Sequence, residues 1–201
     1  MAVRRGLSLV LVLALATVAC GTSDTSDSGA RGEPTTTTSP ASTSTTDPWA
    51  VPAKIDVAYV QRVVDELSRI AARAWERTRQ QGKVDPQVER LLLAISSGAQ
   101  GQMDIEELQG SVRQGFSDWV ERPQPGSTRV RQVETISPRC IRAAGAMDFR
   151  KAVRNGGVRS VVIELRRVKA AADATNPTGW IKDGVWAAGE APAEGKPCER
   201  G

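Results

Sequence analysis

Arg122-Pro-Gln-Pro-Gly126 divides this chain into two periods. Two prolines and a glycine within five residues remove backbone donors and end any helix that enters from the N-terminal side. Before the break, apolar residues recur three and four positions apart; after it, they tend to alternate. That change from a period near 3.6 to one near 2 predicts helices followed by strands, an α+β domain.

Upstream, Val60, Val63, Val64, Leu67, Ile70, Ala71, Ala74 and Trp75 form one apolar stripe, which predicts a helix over Asp56–Gln81. Asp56 is placed to cap it, and Gly82 lies just past its end. Asp85-Pro86 opens a second helix, a cap followed by proline at the first helical position, with Val88, Leu91, Leu92 and Ile95 facing one way and Gly98 stopping it. Asp104 with Glu107 three residues later has the pattern of a capping box. A third helix is therefore expected from Asp104, with Ile105, Leu108, Val112, Phe116 and Trp119 as its buried stripe.

Downstream, Thr128–Ile136 alternates imperfectly through Val130, Val133 and Ile136. Cys140–Phe149 alternates better, with Ile141, Ala143, Met147 and Phe149 on one face. Asn155-Gly156-Gly157 is a turn signal. Val158–Lys169 follows, with Val161, Ile163 and Leu165 on one side and Ser160, Glu164 and Arg166 on the other, solvated side. Gly179–Trp186 reads as a last strand or as a hairpin about Asp183-Gly184. The expected architecture is three N-terminal helices packed on a curved antiparallel sheet of about four strands.

Outside this core the sequence concerns location. Arg4 and Arg5 precede an uncharged run from Leu7 to Ala19. A membrane-spanning helix needs ~20 apolar residues, so this run has the length of a signal peptide. Thr17-Val-Ala-Cys20-Gly21 resembles the bacterial lipobox, which implies that residues 1–19 are removed and Cys20 is lipidated. Of residues 21–50, 18 are Ser, Thr or Pro, too few apolar groups to offset ordering entropy; 20–50 is expected to be a disordered tether and 51–201 the single domain. Setting Cys20 aside leaves Cys140 and Cys198, an even pair in an oxidising compartment, either bridged or as two free thiols.

The 201 residues contain 27 Lys and Arg, 23 Asp and Glu, and no His. Without histidine there is no imidazole base, no Ser-His-Asp or Cys-His catalysis and no His-ligated metal. No cofactor or metal is expected and no catalytic residue is assigned. Two sets of binding candidates remain. Trp75, Trp119, Phe149 and Trp180 are placed to line an internal cavity, against the simpler reading that they fill the core. From Arg129 to Lys169 there are eleven basic and three acidic residues. Within that stretch Arg129, Arg131, Arg142 and Arg166 are candidates for meeting an anionic partner. Trp49 and Trp186 read as exposed.

The order of elements is similar to that of the nuclear transport factor 2-like, cone-shaped α+β superfamily. Pro138-Arg-Cys140, Asn176-Pro-Thr-Gly-Trp180 and Lys196-Pro-Cys198 look like the corresponding motifs of actinobacterial-type lipoproteins with that domain. The resemblance implies a fold and an address, not an activity. The first functional expectation is a non-enzymatic, lipid-anchored domain on the outer face of the cell membrane, docking a protein or an anionic envelope component, not nucleic acid, through a basic sheet face. The alternative is a carrier or sensor of a small hydrophobic ligand, held in a closed cavity beneath Trp119 and Trp180. A third, a carboxylate-based hydrolase or isomerase, requires an Asp or Glu lining a concave pocket.

Overall fold

The computed structural model describes residues 47–169, 175–190 and 198. Residues 1–19, Cys20 and the tether up to residue 46 lie outside the described residues, as do Lys196 and Pro197. The order is α1 (Val57–Gln81), α2 (Pro86–Leu93), α3 (Gly98–Arg113), β1 (Ser127–Ser137), β2 (Cys140–Asp148), β3 (Val158–Arg167) and β4 (Trp180–Ala187). The four strands form one antiparallel sheet in the order β1-β2-β3-β4. No described helix is long and apolar enough to cross a membrane.

α1 follows from its ends and its stripe. The Asp56 carboxylate accepts from the Tyr59 backbone N–H, and Gly82 closes the helix at φ 62°, a conformation that costs glycine little. Between them Tyr59, Val60, Val63, Val64, Leu67, Ile70, Ala71, Ala74 and Thr78 are buried. Burial of each large apolar side chain is worth roughly 1.5–3 kcal/mol, so this stripe holds α1 to the rest of the core. Asp85 caps α2 by accepting from Gln87 and Val88, with Pro86 at the first helical position.

α3 departs from expectation at both ends. It begins at Gly98, not Asp104, and ends at Arg113, so Phe116 and Trp119 lie beyond it. Asp104 sits inside the helix because its carboxylate serves side chains instead of a helix end: it accepts from Ser96 Oγ (2.7 Å), Gln100 Nε2 (2.8 Å) and Lys182 Nζ (3.0 Å). The C-terminal end follows from Gly115 and Phe116, both at positive φ (60° and 57°), which turn the chain out of the helical path.

One sheet face packs on the helices through Val130, Ile141, Ala143, Val161, Ile163 and Leu165, all at most 5% exposed. Both edges receive cover. On β1, Gln61 of α1 behaves as a strand fragment: its Nε2 donates to Thr128 O (2.8 Å), and its Oε1 accepts from Val130 N–H (2.7 Å). On β4, Lys182 exchanges backbone bonds with Ile95 and Ser97 of the α2–α3 linker (2.8 and 2.7 Å). Open ladder edges invite pairing with other chains, and these contacts occupy parts of both.

β4 is one continuous strand across Asp183-Gly184, not a hairpin. Its pairing with β3 shifts register between Glu164 and Leu165, where Gly184 and Lys182 are their partners. Trp186 lies directly over Gly184, in space a Cβ would occupy, which is why glycine stands there. Trp186 and Trp49 are both half-buried instead of exposed, and Trp49 packs against the core. Cys140 and Cys198 form a disulfide with a Cα–Cα distance of 5.8 Å.

Candidate functional site

A cleft of about 490 Å³ opens between the helices and the inner sheet face. Val64, Leu67, Ala71 and Trp75 of α1 form one wall, and Ile163, Leu165 and Val185 of β3 and β4 face them. Its exposed members are Met103 and Glu107 on α3, and Asn155, Gly157 and Arg159 on the β2–β3 side, which places the mouth between those two segments. Small-molecule sites usually occupy roughly 300–1,000 Å³ with mostly apolar walls and a few polar groups. This cleft matches that description.

The polar groups come mainly from one side. Gln100, Asp104 and Glu107 recur at helical spacing on α3, and Lys182 reaches them from β4. Asp104 is committed, with both oxygens held by the three side chains named above. Lys182 is half-buried and its charge is matched by Asp104. Glu107 differs: among the described residues its carboxylate has no hydrogen-bond or ion-pair partner. Its pKa is pushed above the usual carboxylate value, first by the protein surrounding it and then by the negative charge of Asp104; Lys182 opposes the shift in part. Carboxylates thus do border a concave site: Glu107, which has the spacing of a capping-box partner for Asp104, lies mid-helix at the cleft mouth instead.

The four aromatic candidates separate. Trp75 and Phe149 border the cleft and are half-buried. Trp119 and Trp180 do not line it, and this cleft is open to solvent, unlike the closed cavity expected beneath those two residues. Trp119 stands behind Trp75, with ring centroids 4.7 Å apart and planes 14° apart. Phe116 tilts against the Trp119 ring, with centroids 4.8 Å apart, and the indole Nε1–H of Trp119 donates to Ser111 Oγ. Trp180 is fully buried, its Nε1–H donating to Tyr59 Oη. Ring alternation along the sequence gives no sign of which Trp meets the cavity, because the selection depends on the turn at Gly115 and Phe116.

The four arginines also separate. Arg129 and Arg131 are exposed and form no ion pair among the described residues. Arg142 holds Glu164 through Nε and Nη2 (3.3 and 2.8 Å), and Arg166 holds Asp183 at 3.1 Å. Glu164, expected on a solvated face, is 5% exposed. It does lie on the side of β3 opposite Ile163 and Leu165, but Arg142 and Gly184 flank it in register on the adjacent strands. Two of the four cations are therefore neutralised by partners that are nearly inaccessible.

Sequence reading missed the role of Asn176 as a latch. Its Nδ2 donates to Ala94 O (2.7 Å) and Trp180 O (2.8 Å), and its Oδ1 accepts from Thr178 N–H and Oγ1. The Asn-x-Thr spacing is the visible signal: a short amide two residues before a hydroxyl forms a local turn.

No family model matches the chain, and no curated protein matches it. Among solved structures, the crystal structure of the intermembrane space region of the chloroplast protein ARC6 aligns over 67% of this chain and 97% of that one, with 12% identity and a TM-score of 0.40. Similarity at that level carries no argument about this chain.

Proposed function

We propose that this domain is a carrier or sensor that holds a small, largely apolar molecule in the cleft between its helices and its sheet. The cleft itself carries the reading: a cavity of about 490 Å³ with aliphatic and aromatic walls and a polar margin on α3. A hollow between helices and an antiparallel meander is also what a cone of the nuclear transport factor 2-like kind would have, and we adopt that assignment as part of the proposal. So too is the location, a lipid anchor at Cys20 holding the domain outside the cell membrane. Asp104, with both oxygens engaged, is better suited to fixing α3 against β4 than to accepting a proton from a substrate. Glu107 lines the cleft with no acid or base hydrogen-bonded to it among the described residues, so the proposal is for binding without catalysis.

Titration of the full chain with the neutral fluorophore N-phenyl-1-naphthylamine tests it. Saturable one-to-one binding is expected, and Ala71→Trp, which fills the wall of α1, should abolish it while the far-ultraviolet spectrum stays unchanged. Absence of saturable binding, or binding that survives Ala71→Trp, overturns the reading.

The exposed, unpaired Arg129 and Arg131 favour a second reading, docking of an anionic envelope component along β1. Arg129→Glu with Arg131→Glu should then weaken association with anionic phospholipid vesicles in a salt-sensitive manner. Unchanged association removes this reading and leaves the first untouched.

A further inference from the structure

From the chemistry of the cleft margin we infer that the molecule it takes is an amphiphilic organic cation, an apolar body with one amine or quaternary ammonium group, and that Glu107 and Trp75 receive the charged end. This deepens the proposed cleft-binding function and rests on it.

Three observations converge. First, the charges at the cleft are unequal in availability. Asp104 and Lys182 neutralise each other at 3.0 Å, whereas the Glu107 carboxylate has no partner among the described residues. At the mouth this carboxylate faces the apolar wall on one side and solvent on the other, and a cation that enters the cleft supplies the partner that the described residues do not. The protein around it and the charge of Asp104 hold its pKa above the usual value, with Lys182 opposing in part, which accords with that geometry.

Second, one face of the Trp75 indole is covered by Trp119, and the remainder borders the cleft. Indole is the best aromatic partner for a cation, and the stack fixes its orientation before any ligand arrives. Third, Trp75 and Glu107 belong to the same corner. The Trp119 ring donates to Ser111 Oγ, and Ser111 Oγ donates to the Glu107 backbone oxygen (3.1 Å) one turn earlier on α3. The ring stack and the free carboxylate are thus tied to one helical turn. The remaining cation at the mouth, Arg159, is placed with its guanidinium 5.8 Å from the Phe149 ring, on the β2–β3 side. It offers an alternative seat for an anion, and this gives the test its opposite arm.

Calorimetric titration of the full chain with three probes of one shape, 1-naphthylmethylammonium, 1-naphthylmethanol and 1-naphthoate, separates the cases. The ammonium probe should bind about tenfold more tightly than the alcohol, a margin in keeping with one carboxylate contact plus one ring contact at a partly solvated site. Glu107→Gln should bring the ammonium probe to the level of the alcohol, whereas Glu106→Gln, which removes a charge from the same helix outside the cleft, should keep the preference. Equal binding of all three, a preference that survives Glu107→Gln, or tighter binding of the naphthoate overturns the inference while leaving the cleft-binding reading in place. If none of the three binds, both fall.

Discussion

Trp180 and Tyr59 meet across the core, the indole Nε1–H donating to the phenol oxygen at 2.9 Å. They are 121 positions apart in the chain, and each is at most 2% exposed. The bond joins the start of β4 to the first turn of α1 and gives a partner to the one polar atom of a fully buried ring. Tyr59→Phe leaves the buried indole N–H without its partner, at a cost of about 1–3 kcal/mol, and Trp180→Phe leaves the Tyr59 hydroxyl with only its longer bond to Trp49 O (3.5 Å). Trp180→Phe and Tyr59→Phe should each lower stability within that range in denaturant titration, and the double variant should fall by less than the sum. Strict additivity would show that the bond does not form.

Gln61 makes a narrower prediction. Its amide occupies Thr128 O and Val130 N–H on the edge of β1. Gln61→Leu keeps the volume and removes both partners, so a loss of about 1–3 kcal/mol is expected. Amide hydrogen exchange at Val130 should accelerate more than at the β2–β3 amides. Uniform exchange across the sheet would contradict the proposed pairing.

The Cys140–Cys198 bridge spans a sequence separation of 58 residues. A loop of that length gives ~4 kcal/mol of stabilisation in the chain-entropy model. Cys140→Ser with Cys198→Ser should lower the unfolding free energy by about that amount, and reduction of the natural chain should reproduce the loss. A reduced chain as stable as the oxidised one would rule out a contribution from the bridge.

Acid stability depends on Asp85, whose carboxyl is held at about 2 by the Arg77 guanidinium and by the backbone N–H groups of α2 that it caps. A carboxylate lowered in the folded state stabilises above its ordinary pKa of 3.8, and that contribution is lost as pH falls toward 2. Asp148 beside Arg150 acts in the same direction. Asp85→Asn keeps a good capping residue but removes the ion pair, so the difference in melting temperature from the natural chain should be present at neutral pH and shrink between about pH 4 and 2. Glu107 has the opposite sign: its raised pKa means that stability declines as pH climbs through the range between its ordinary and raised values. Glu107→Gln should remove that decline.

Much of this fold can be read locally. α1 announces its own ends, since Asp56 and Gly82 act on the adjacent turn and its stripe repeats without interruption. β3 is similarly plain, because Val161, Ile163 and Leu165 face the helices. Elements whose cause lies elsewhere in the chain are hidden. Asp104 has the spacing of a helix cap, yet Lys182, 78 residues away, claims it. Asp183-Gly184 has the composition of a turn, yet the glycine makes room for the Trp186 ring. Arg142 and Glu164 look like independent surface charges until the register sets them side by side. The cleft is hidden for the same reason, as its walls come from every helix and from all four strands.

The parallel indoles of Trp75 and Trp119 supply an internal optical gauge. Two identical chromophores 4.7 Å apart share their excitation, so their near-ultraviolet dichroism and emission report on the pair instead of on either ring. Since Trp119 is held by Ser111 while Trp75 borders the cleft, any molecule pressing on Trp75 perturbs the coupling from one side only. Occupancy is thereby written into the protein's own spectrum, and no added dye is required to follow it.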